Sequence, residues 1–322
     1  MADSSQVGTH VQYLAILAPA LIALIAGLVI HSFIIGVNVT DWWKGRSVTP
    51  VDYIVTSLGV SRMCALCFDT LYIFLYMFLL GSLTSYITLL IIGFIYLFLS
   101  YTNFWLSSLL SIVFWLKISN HHTRLFLYLK GMIAHRTVYF IGASVLLSTF
   151  ICVMSFLMDI TYVMNVVMYH TTMHNLSMSC THTNNVYSYT IGTFFPLLFY
   201  CISTIFLFSL YHHTTKMKMS SNLSINLETY YSVMKFVSFT FIYNTLYFLA
   251  GFAWGLYYYF YCVSLDWLLI VLDLLPVLHS SYLIYKTTKL RSQMSKVLQS
   301  VIDFLFQRKY TETRENIEVV AL

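Results

Sequence analysis

Three charged side chains stand inside apolar stretches of this chain: Arg62, Asp69 and Asp273. A charge placed in hydrocarbon costs roughly 3 kcal/mol or more on insertion scales, so each must face other protein groups, and each is a functional candidate. Arg62 lies about a dozen residues into its segment, too deep to snorkel to the membrane surface and too costly to leave without partners. It reads as the centre of a structural and signalling network rather than as a ligand contact. Asp69 is seven residues further on and shares a similar helical face, and Asp273 lies in the last apolar segment. Two readings stay open for each carboxylate: pairing with Arg62, or contact with a cationic ligand. Asp159 and Asp266 fall nearer segment ends and read as solvated.

A polar stretch, Asn103-Phe104-Trp105-Leu106-Ser107-Ser108-Leu109-Leu110-Ser111, interrupts another apolar segment. Ser and Asn often act as glue between membrane helices. Trp105 beside them adds the usual lining for an apolar ligand held by a few directional contacts. Trp105, Ser108 and Leu109 are therefore pocket candidates, joined by Tyr72, Tyr76, Tyr243, Tyr247, Trp254 and Leu269. With 26 Tyr and 25 Phe in the chain, each ring alone carries little weight.

Elsewhere the chemistry is thin. His170 and His174 are four residues apart with Cys180 and His182 following, a spacing that admits a metal. No helix signal fixes it, and solvated histidines are the simpler reading, so neither metal nor cofactor is expected. No G-x-S-x-G, H-E-x-x-H or phosphate loop is present, and no carboxylate pair is arranged for hydrolysis, so the chain does not read as an enzyme. A retinal Schiff base would need a Lys midway along the last apolar segment, but Lys286 stands at its end.

Composition sets the frame for these residues. The chain is 59% hydrophobic and 9% charged, against about 25% charged in soluble domains, with a mean hydropathy of +0.77. This describes an all-α integral membrane protein. Counting about 20 apolar residues per crossing gives seven spans, near 12–38, 51–78, 88–118, 137–160, 187–212, 232–258 and 265–287. Gly81-Ser82 is the best turn signal between the second and third. Residues 1–10 carry no Lys or Arg and the stretch after them is long, so the first span is expected to be retained rather than cleaved, with no room before it for an extracellular ligand-binding domain.

All of the 17 Lys and Arg residues except Arg62 fall in four segments separated by these spans: Lys44 and Arg46; Lys117, Arg124, Lys130 and Arg136; Lys216, Lys218 and Lys235; and the run from Lys286 to Arg314. Cytoplasmic loops gather Lys and Arg, so the N-terminus is placed outside and the C-terminus in the cytoplasm of a multi-pass plasma-membrane protein. The net charge of +5 then points to anionic lipid and a cytoplasmic partner, not to nucleic acid. Of three glycosylation sequons, at Asn38, Asn175 and Asn222, only Asn175 falls outside. Residues 1–287 form the membrane domain. In 288–322, Leu290, Met294, Val297, Leu298, Val301, Ile302 and Leu305 recur at helical spacing, giving a short amphipathic helix on the inner surface, followed by a disordered tail from Thr311.

Six cysteines are scattered and imply no disulfide framework. Cys180 and Cys262 share the oxidising side, where a bond between them is open. Cys64 and Cys67, inside a span, read as small packing residues.

An odd number of spans with the N-terminus outside suggests a G-protein-coupled receptor, yet the rhodopsin-like signatures are missing: no Asp/Glu-Arg-Tyr ends the third span, no Cys-Trp-x-Pro marks the sixth and no Asn-Pro-x-x-Tyr the seventh. What stands there resembles the taste receptor type 2 family, the bitter taste receptors. The likeness runs through Phe33-Ile34, Val37-Asn38, Asp41-Trp42 and Asp52-Tyr53-Ile54 to Leu58-Gly59-Val60-Ser61-Arg62, whose Arg is a family hallmark. It continues with Trp105, Leu116-Lys117-Ile118, Asn120 and Leu125-Phe126-Leu127-Tyr128-Leu129-Lys130. Later come Ser209-Leu210-Tyr211-His212-His213 with Met217, then Met234-Lys235 and Ser238-Phe239. It closes on His279-Ser280, Leu283-Ile284 and Lys289-Leu290-Arg291. Asn175 matches the sequon of the family's second outer loop.

Three positions depart from the family pattern: His31 for Asn, Thr287 for Asn and Tyr230 for His. The resemblance implies a bitter-type chemosensory receptor that takes small, mostly apolar molecules in an outer-half cavity around Trp105 and activates a heterotrimeric G protein of gustducin-like kind. Arg62, His279 and Ser280 would form its signalling network, and Lys117, Arg124, Lys130, His213, Met217 and Lys235 would flank the G-protein opening. The alternatives are a vomeronasal type 1-like pheromone receptor, against which Ser61-Arg62 and Leu116-Lys117 speak, and a membrane transporter, which would be expected to show an internal repeat.

Overall fold

The computed structural model of the chain describes residues 2–78, 83–118, 124–170, 227–261 and 266–320. These form seven α-helices, with no strand among the described residues: α1 (Ala2–Trp43), α2 (Pro50–Phe78), α3 (Leu83–Ile118), α4 (Arg124–His170), α5 (Leu227–Tyr261), α6 (Asp266–Lys286) and α7 (Thr288–Val320). The fifth span expected from sequence, 187–212, lies outside the described residues, so α5 and α6 are the sixth and seventh expected spans. By length and composition five described helices can cross a membrane, at Leu17–Trp43, Pro50–Leu75, Thr88–Phe114, Arg136–Leu157 and Met234–Trp254.

Burial is inverted relative to a soluble protein. Arg62, Asp69, Asp273, His31 and His279 are buried, while Ile22, Val29, Leu146 and Leu278 are each more than half exposed. An apolar exterior around a polar interior is stable in lipid, provided that every interior polar group finds protein partners. Hydroxyls meet that condition locally. Thr70, Thr102, Thr137, Ser148, Thr240 and Thr245 each donate to the carbonyl four residues earlier.

Helix ends follow from sequence. In the turn after α1, Gly45 has φ 66°, the left-handed conformation that favours glycine. Its N–H reaches the Trp42 carbonyl and that of Arg46 reaches Asp41, both at 3.0 Å, the paired bonds of a Schellman stop. Arg46 also holds the Asp41 carboxylate at 2.7 Å. Helix α2 then starts on a capping box. The Asp52 carboxylate accepts from the Thr49 backbone at 2.9 Å and its hydroxyl at 2.8 Å, while the Asp52 N–H reaches Thr49 Oγ1 at 3.3 Å. Pro50 occupies the first helical position, where its missing N–H costs nothing.

Three expectations differ. Helix α1 begins about ten residues before the expected span. Helix α4 takes in the basic stretch from Arg124 and continues to His170; only Arg136 (φ −121°, ψ 26°) leaves helical geometry, so the segment before the crossing is itself a helix. Between Lys130 and His170 there is no Pro to stop it. Finally, α7 runs to Val320 through the stretch read as disordered, where Arg308 and Glu312, and Arg314 and Glu318, stand at the i,i+4 spacing that supports a helix.

Residues 1–280 and 281–322 form two compact units. Within the first, α2 packs on α1, α3 and α4, and α3 packs on α2, α4 and α5. Asn38 donates to Thr56 across α1 and α2 at 3.0 Å, and Phe114 meets Phe236 edge-on across α3 and α5 at 4.7 Å. At Gly27 of α1 a Cβ would overlap Leu66 Cδ1 of α2 and lie 3.4 Å from Val277 Cγ2 of α6. In the second unit, Thr287 alone breaks the helix between α6 and α7. Its N–H bonds to Leu283 at 3.0 Å and its carbonyl accepts from Arg291 at 2.9 Å.

This packing makes an opposed pair of predictions for thermal unfolding of the purified protein. Gly27→Ala, which forces buried Leu66 to move, lowers the midpoint by the equivalent of about 1–3 kcal/mol. Gly142→Ala, where nothing lies within 4 Å of the new Cβ, leaves it unchanged or raises it by up to about 1 kcal/mol. Equal effects at the two sites would contradict the close approach at Gly27.

Candidate functional site

Arg62, on α2, is fully buried, and its guanidinium is the meeting point of three helices. One terminal nitrogen, Nη1, donates to Ser280 Oγ at 2.7 Å and His279 Nδ1 at 3.0 Å, and lies 3.5 Å from the Pro276 carbonyl, all on α6. The other, Nη2, donates to Ser107 Oγ on α3 at 3.0 Å. The forked geometry of arginine permits this, since two nitrogens point to two helices from one rigid plane. Tyr243 of α5 closes the site from another side, its ring centroid 5.2 Å from the guanidinium carbon, within reach of a cation–π contact.

These bonds fix the proton positions on His279. Arginine only donates, so Nδ1 must accept, and the ring proton sits on Nε2. Nε2 lies 3.1 Å from Thr240 Oγ1, whose hydroxyl donates to the Phe236 carbonyl at 3.0 Å. A single directed chain therefore runs from Arg62 through His279 to the backbone of α5. The imidazole is held in an aromatic cage from α5, with ring centroids at 4.5 Å (Tyr243) and 6.1 Å (Phe236 and Phe239). His31 brings α1 to the same centre. It is fully buried near both Arg62 and His279, and neither ring nitrogen has a hydrogen-bond partner among the described residues.

The two carboxylates do not pair with Arg62. Asp69 and Asp273 neighbour each other instead, seven residues along α2 from Arg62 and seven back along α6 from Ser280. The reason is geometric: seven residues are two turns, about 10 Å of rise, beyond the reach of a guanidinium already held by Ser107, His279 and Ser280.

Other expected residues are placed as follows. Arg62, His279 and Ser280 come together. Trp105, Ser108 and Leu109 are buried on α3, with Trp105 edge-on to Phe104 at 6.1 Å. Tyr243 lies at Arg62 rather than apart from it, while Tyr247 lies near Asp273. Tyr72 and Trp254 are on α2 and α5; Tyr76 and Leu269 are on α2 and α6. Lys117 is near the end of α3, Arg124 and Lys130 are in the first turns of α4, and Lys235 is exposed on α5. His213, Met217, Asn175, Cys180, Cys262, His174 and His182 lie outside the described residues. Cys64, Cys67 and Cys152 are free thiols.

Ser107 is expected from the sequence only as part of a polar stretch, and Thr240, Tyr96 and Ser100 carry no expectation of their own. The signal that could have found them is spacing. Ser100 and Ser107, and Thr240 and Tyr247, repeat the seven-residue offset of Arg62 and Asp69.

A family model described as Taste receptor protein (TAS2R) matches residues 9–302. The chain belongs to the taste receptor (TAS2R) family. Taste receptor type 2 member 7 of Papio hamadryas is 27% identical over 305 residues, covering 89% of this chain and 93% of that protein. Taste receptor type 2 member 110 of Mus musculus is 35% identical over 109 residues, 34% of this chain and 33% of the relative. The match to member 7 of Pongo pygmaeus likewise spans 39% of that receptor. Squid rhodopsin shares the fold, with a TM-score of 0.60 at 13% identity over 91% of this chain and 87% of that one. The chain is thus a multi-pass membrane protein with a G-protein-coupled receptor fold, from a family of receptors rather than a class of enzymes. The pheromone-receptor and transporter readings give way to it.

The Arg62 geometry makes its own prediction. In thermal unfolding of the purified TAS2R protein, Ser107→Ala costs roughly 1.5–3 kcal/mol, the range for a hydrogen bond to a charged group. Arg62→Lys, a point charge that cannot span α3 and α6 at once, costs more. The double variant is less destabilised than the sum, because both changes cut the same bond. Strict additivity would remove the Arg62–Ser107 bond from the account.

Proposed function

We propose that this protein is a bitter-type chemosensory receptor of the plasma membrane. It binds small, mostly apolar molecules in a cavity in the outer half of the bundle and activates a heterotrimeric G protein of gustducin-like kind. The observation that carries this reading is the Arg62 cluster. One side chain ties α2, α3 and α6 by hydrogen bonds, and His279 extends the tie to α5, so a shift of any of these helices must rearrange the same bonds. That is the form of a two-state element whose population a ligand can bias, if it binds one arrangement better than the other.

In this reading Trp105, Ser108, Leu109, Tyr72, Tyr76, Tyr247 and Leu269 border the ligand, together with Asp69 and Asp273. Tyr243 stands between the ligand and Arg62. The N-terminus is outside and Asn175 carries a glycan. Lys117, Arg124, Lys130, His213, Met217 and Lys235 flank the cytoplasmic opening, where the charge of the Lys and Arg side chains also faces anionic lipid.

The test is intracellular calcium in cells expressing the receptor with a taste-type G protein, challenged with chemically varied bitter compounds. Agonists are expected to raise calcium in wild-type cells. Trp105→Ala is expected to weaken potency by about 30-fold or more at equal surface expression, as for a truncated aromatic anchor. Silence across the whole panel, with receptor demonstrated at the surface, refutes coupling of this kind.

A further inference from the structure

The connection between α1 and α2 gathers features that the Arg62 network does not use. The apolar run of α1 ends at Trp43, and Trp43 and its neighbour Trp42 are 88% and 64% exposed. A tryptophan at this place has a definite preference: one part of its ring is apolar and the other carries an N–H, so it settles where hydrocarbon gives way to headgroups. The residues that follow, Lys44 to Thr49, therefore run at headgroup level. Lys44, Gly45, Arg46, Ser47 and Thr49 are all exposed there.

The charges at this corner are sorted by sign. Both carboxylates are engaged within it. Asp41 has a side chain only 14% exposed and holds Nη1 of Arg46 at 2.7 Å; Asp52 accepts from the N–H and the hydroxyl of Thr49 at 2.9 and 2.8 Å. The last carbonyls of α1 are engaged too: those of Thr40, Asp41 and Trp42 accept from the N–H groups of Lys44, Arg46 and Gly45. The basic side chains point the other way. Lys44 is exposed, and the Arg46 side chain stays 60% exposed despite its bond to Asp41, which leaves guanidinium N–H groups beyond that bond at the surface. Two indoles at the hydrocarbon boundary, followed within three residues by two exposed cations, match an amphiphile with an anionic head.

We propose that Trp42, Trp43, Lys44 and Arg46 form a binding site for an anionic phospholipid of the cytoplasmic leaflet. The Lys44 ammonium and the outer N–H groups of Arg46 donate to the phosphate and carboxylate oxygens of a headgroup such as phosphatidylserine, while the indoles cover its glycerol esters and upper chains. A choline headgroup is the weaker ligand, because it offers the phosphate alone and brings its own cation towards Lys44 and Arg46. A lipid held here ties together α1 and α2, the helix that carries Arg62. The leaflet follows from the orientation in the receptor reading above. The affinity does not, because in a reconstituted bilayer the protein meets the same lipids on both faces.

The experiment uses the full-length receptor in lipid nanodiscs and reads the fluorescence of Trp43, isolated as the difference between wild type and Trp43→Phe. All discs contain phosphatidylserine and phosphatidylcholine in the same proportion. Brominated chains, which quench tryptophan on contact, are carried by the serine lipid in one set and by an equal amount of the choline lipid in the other. Stronger quenching of Trp43 in the first set is expected, equivalent to a local enrichment of the serine lipid by about fivefold for each cation. The enrichment is expected to shrink between about 0.1 M and 1 M salt, where the screening length falls from about 10 Å to 3 Å. Lys44→Gln, which leaves the Arg46–Asp41 bridge in place, is expected to lower it about fivefold, Lys44→Arg to keep it, and Lys44→Gln with Arg46→Gln to abolish it. Equal quenching in the two sets overturns the proposal, and so does an enrichment that survives the double variant; Lys44→Gln alone decides the matter if the double variant does not fold. An enrichment in a receptor that gives no calcium response leaves this site standing and sinks the receptor reading instead.

Discussion

A guanidinium buried at the centre of an apolar bundle is the constraint from which the rest of the structure follows. Arg62 is inaccessible to solvent, and the cost of taking such a charge from water is offset here by hydrogen bonds from both terminal nitrogens. Here the acceptors are neutral: two serine hydroxyls, an imidazole nitrogen and the carbonyl of Pro276. The proline contributes twice. Lacking an N–H, Pro276 cannot close the helical bond to the carbonyl four residues before it, which loosens α6 where it must present acceptors to α2. The delocalised charge of arginine suits such dispersed, neutral solvation better than the compact ammonium of lysine. Negative charge at Asp69 and Asp273, about 10 Å along the axis, adds on the order of 1–2 kcal/mol at an effective dielectric of about 20.

Separating the guanidinium from the carboxylates has a mechanistic consequence. A direct Arg62–Asp69 ion pair would lock the core by a strong short bond. With the carboxyls beside each other instead, the bundle holds a donor-rich layer at Arg62 and an outer, acceptor-rich layer at Asp69 and Asp273, joined by four helices in phase. The two layers are rigidly coupled by helix geometry, because a helix that rotates or slides to improve one set of bonds carries its residue in the other set with it. A change in the outer layer is therefore felt at Arg62 without contact.

Much of this was legible in the chain. Hydropathy found each described crossing, since about 20 apolar residues in a row have few alternatives. The turn expected at Gly81-Ser82 lies outside the described residues; Arg62, His279 and Ser280 were singled out before their bonds were known. What escaped has physical reasons. Helix ends that extend past the hydrocarbon carry no hydropathy signal, which is why α1 and α4 are longer than expected. The partners of Arg62 could not be chosen from composition, because Asp69 and Asp273 were as plausible as the Ser and His acceptors until the two-turn separation ruled them out. Ser107 and Thr240 looked like ordinary helix glue, because one hydroxyl serves packing and signalling networks alike.

His31 shows how a single departure from the family pattern bears on the hub. An amide at this position would offer both a donor and an acceptor in fixed places, whereas a neutral imidazole offers one of each on opposite sides of a ring. Here the ring is buried beside Arg62 and His279, and neither nitrogen finds a partner among the described residues. Arg62 Nε is likewise unpartnered there. Helix α1 thus meets the hub by packing, through the close approach at Gly27 and the wedge of the imidazole, and its hydrogen bond to α2 runs elsewhere, from Asn38 to Thr56. Helices α2, α3, α5 and α6 share the hydrogen bonds of the hub itself and must change together.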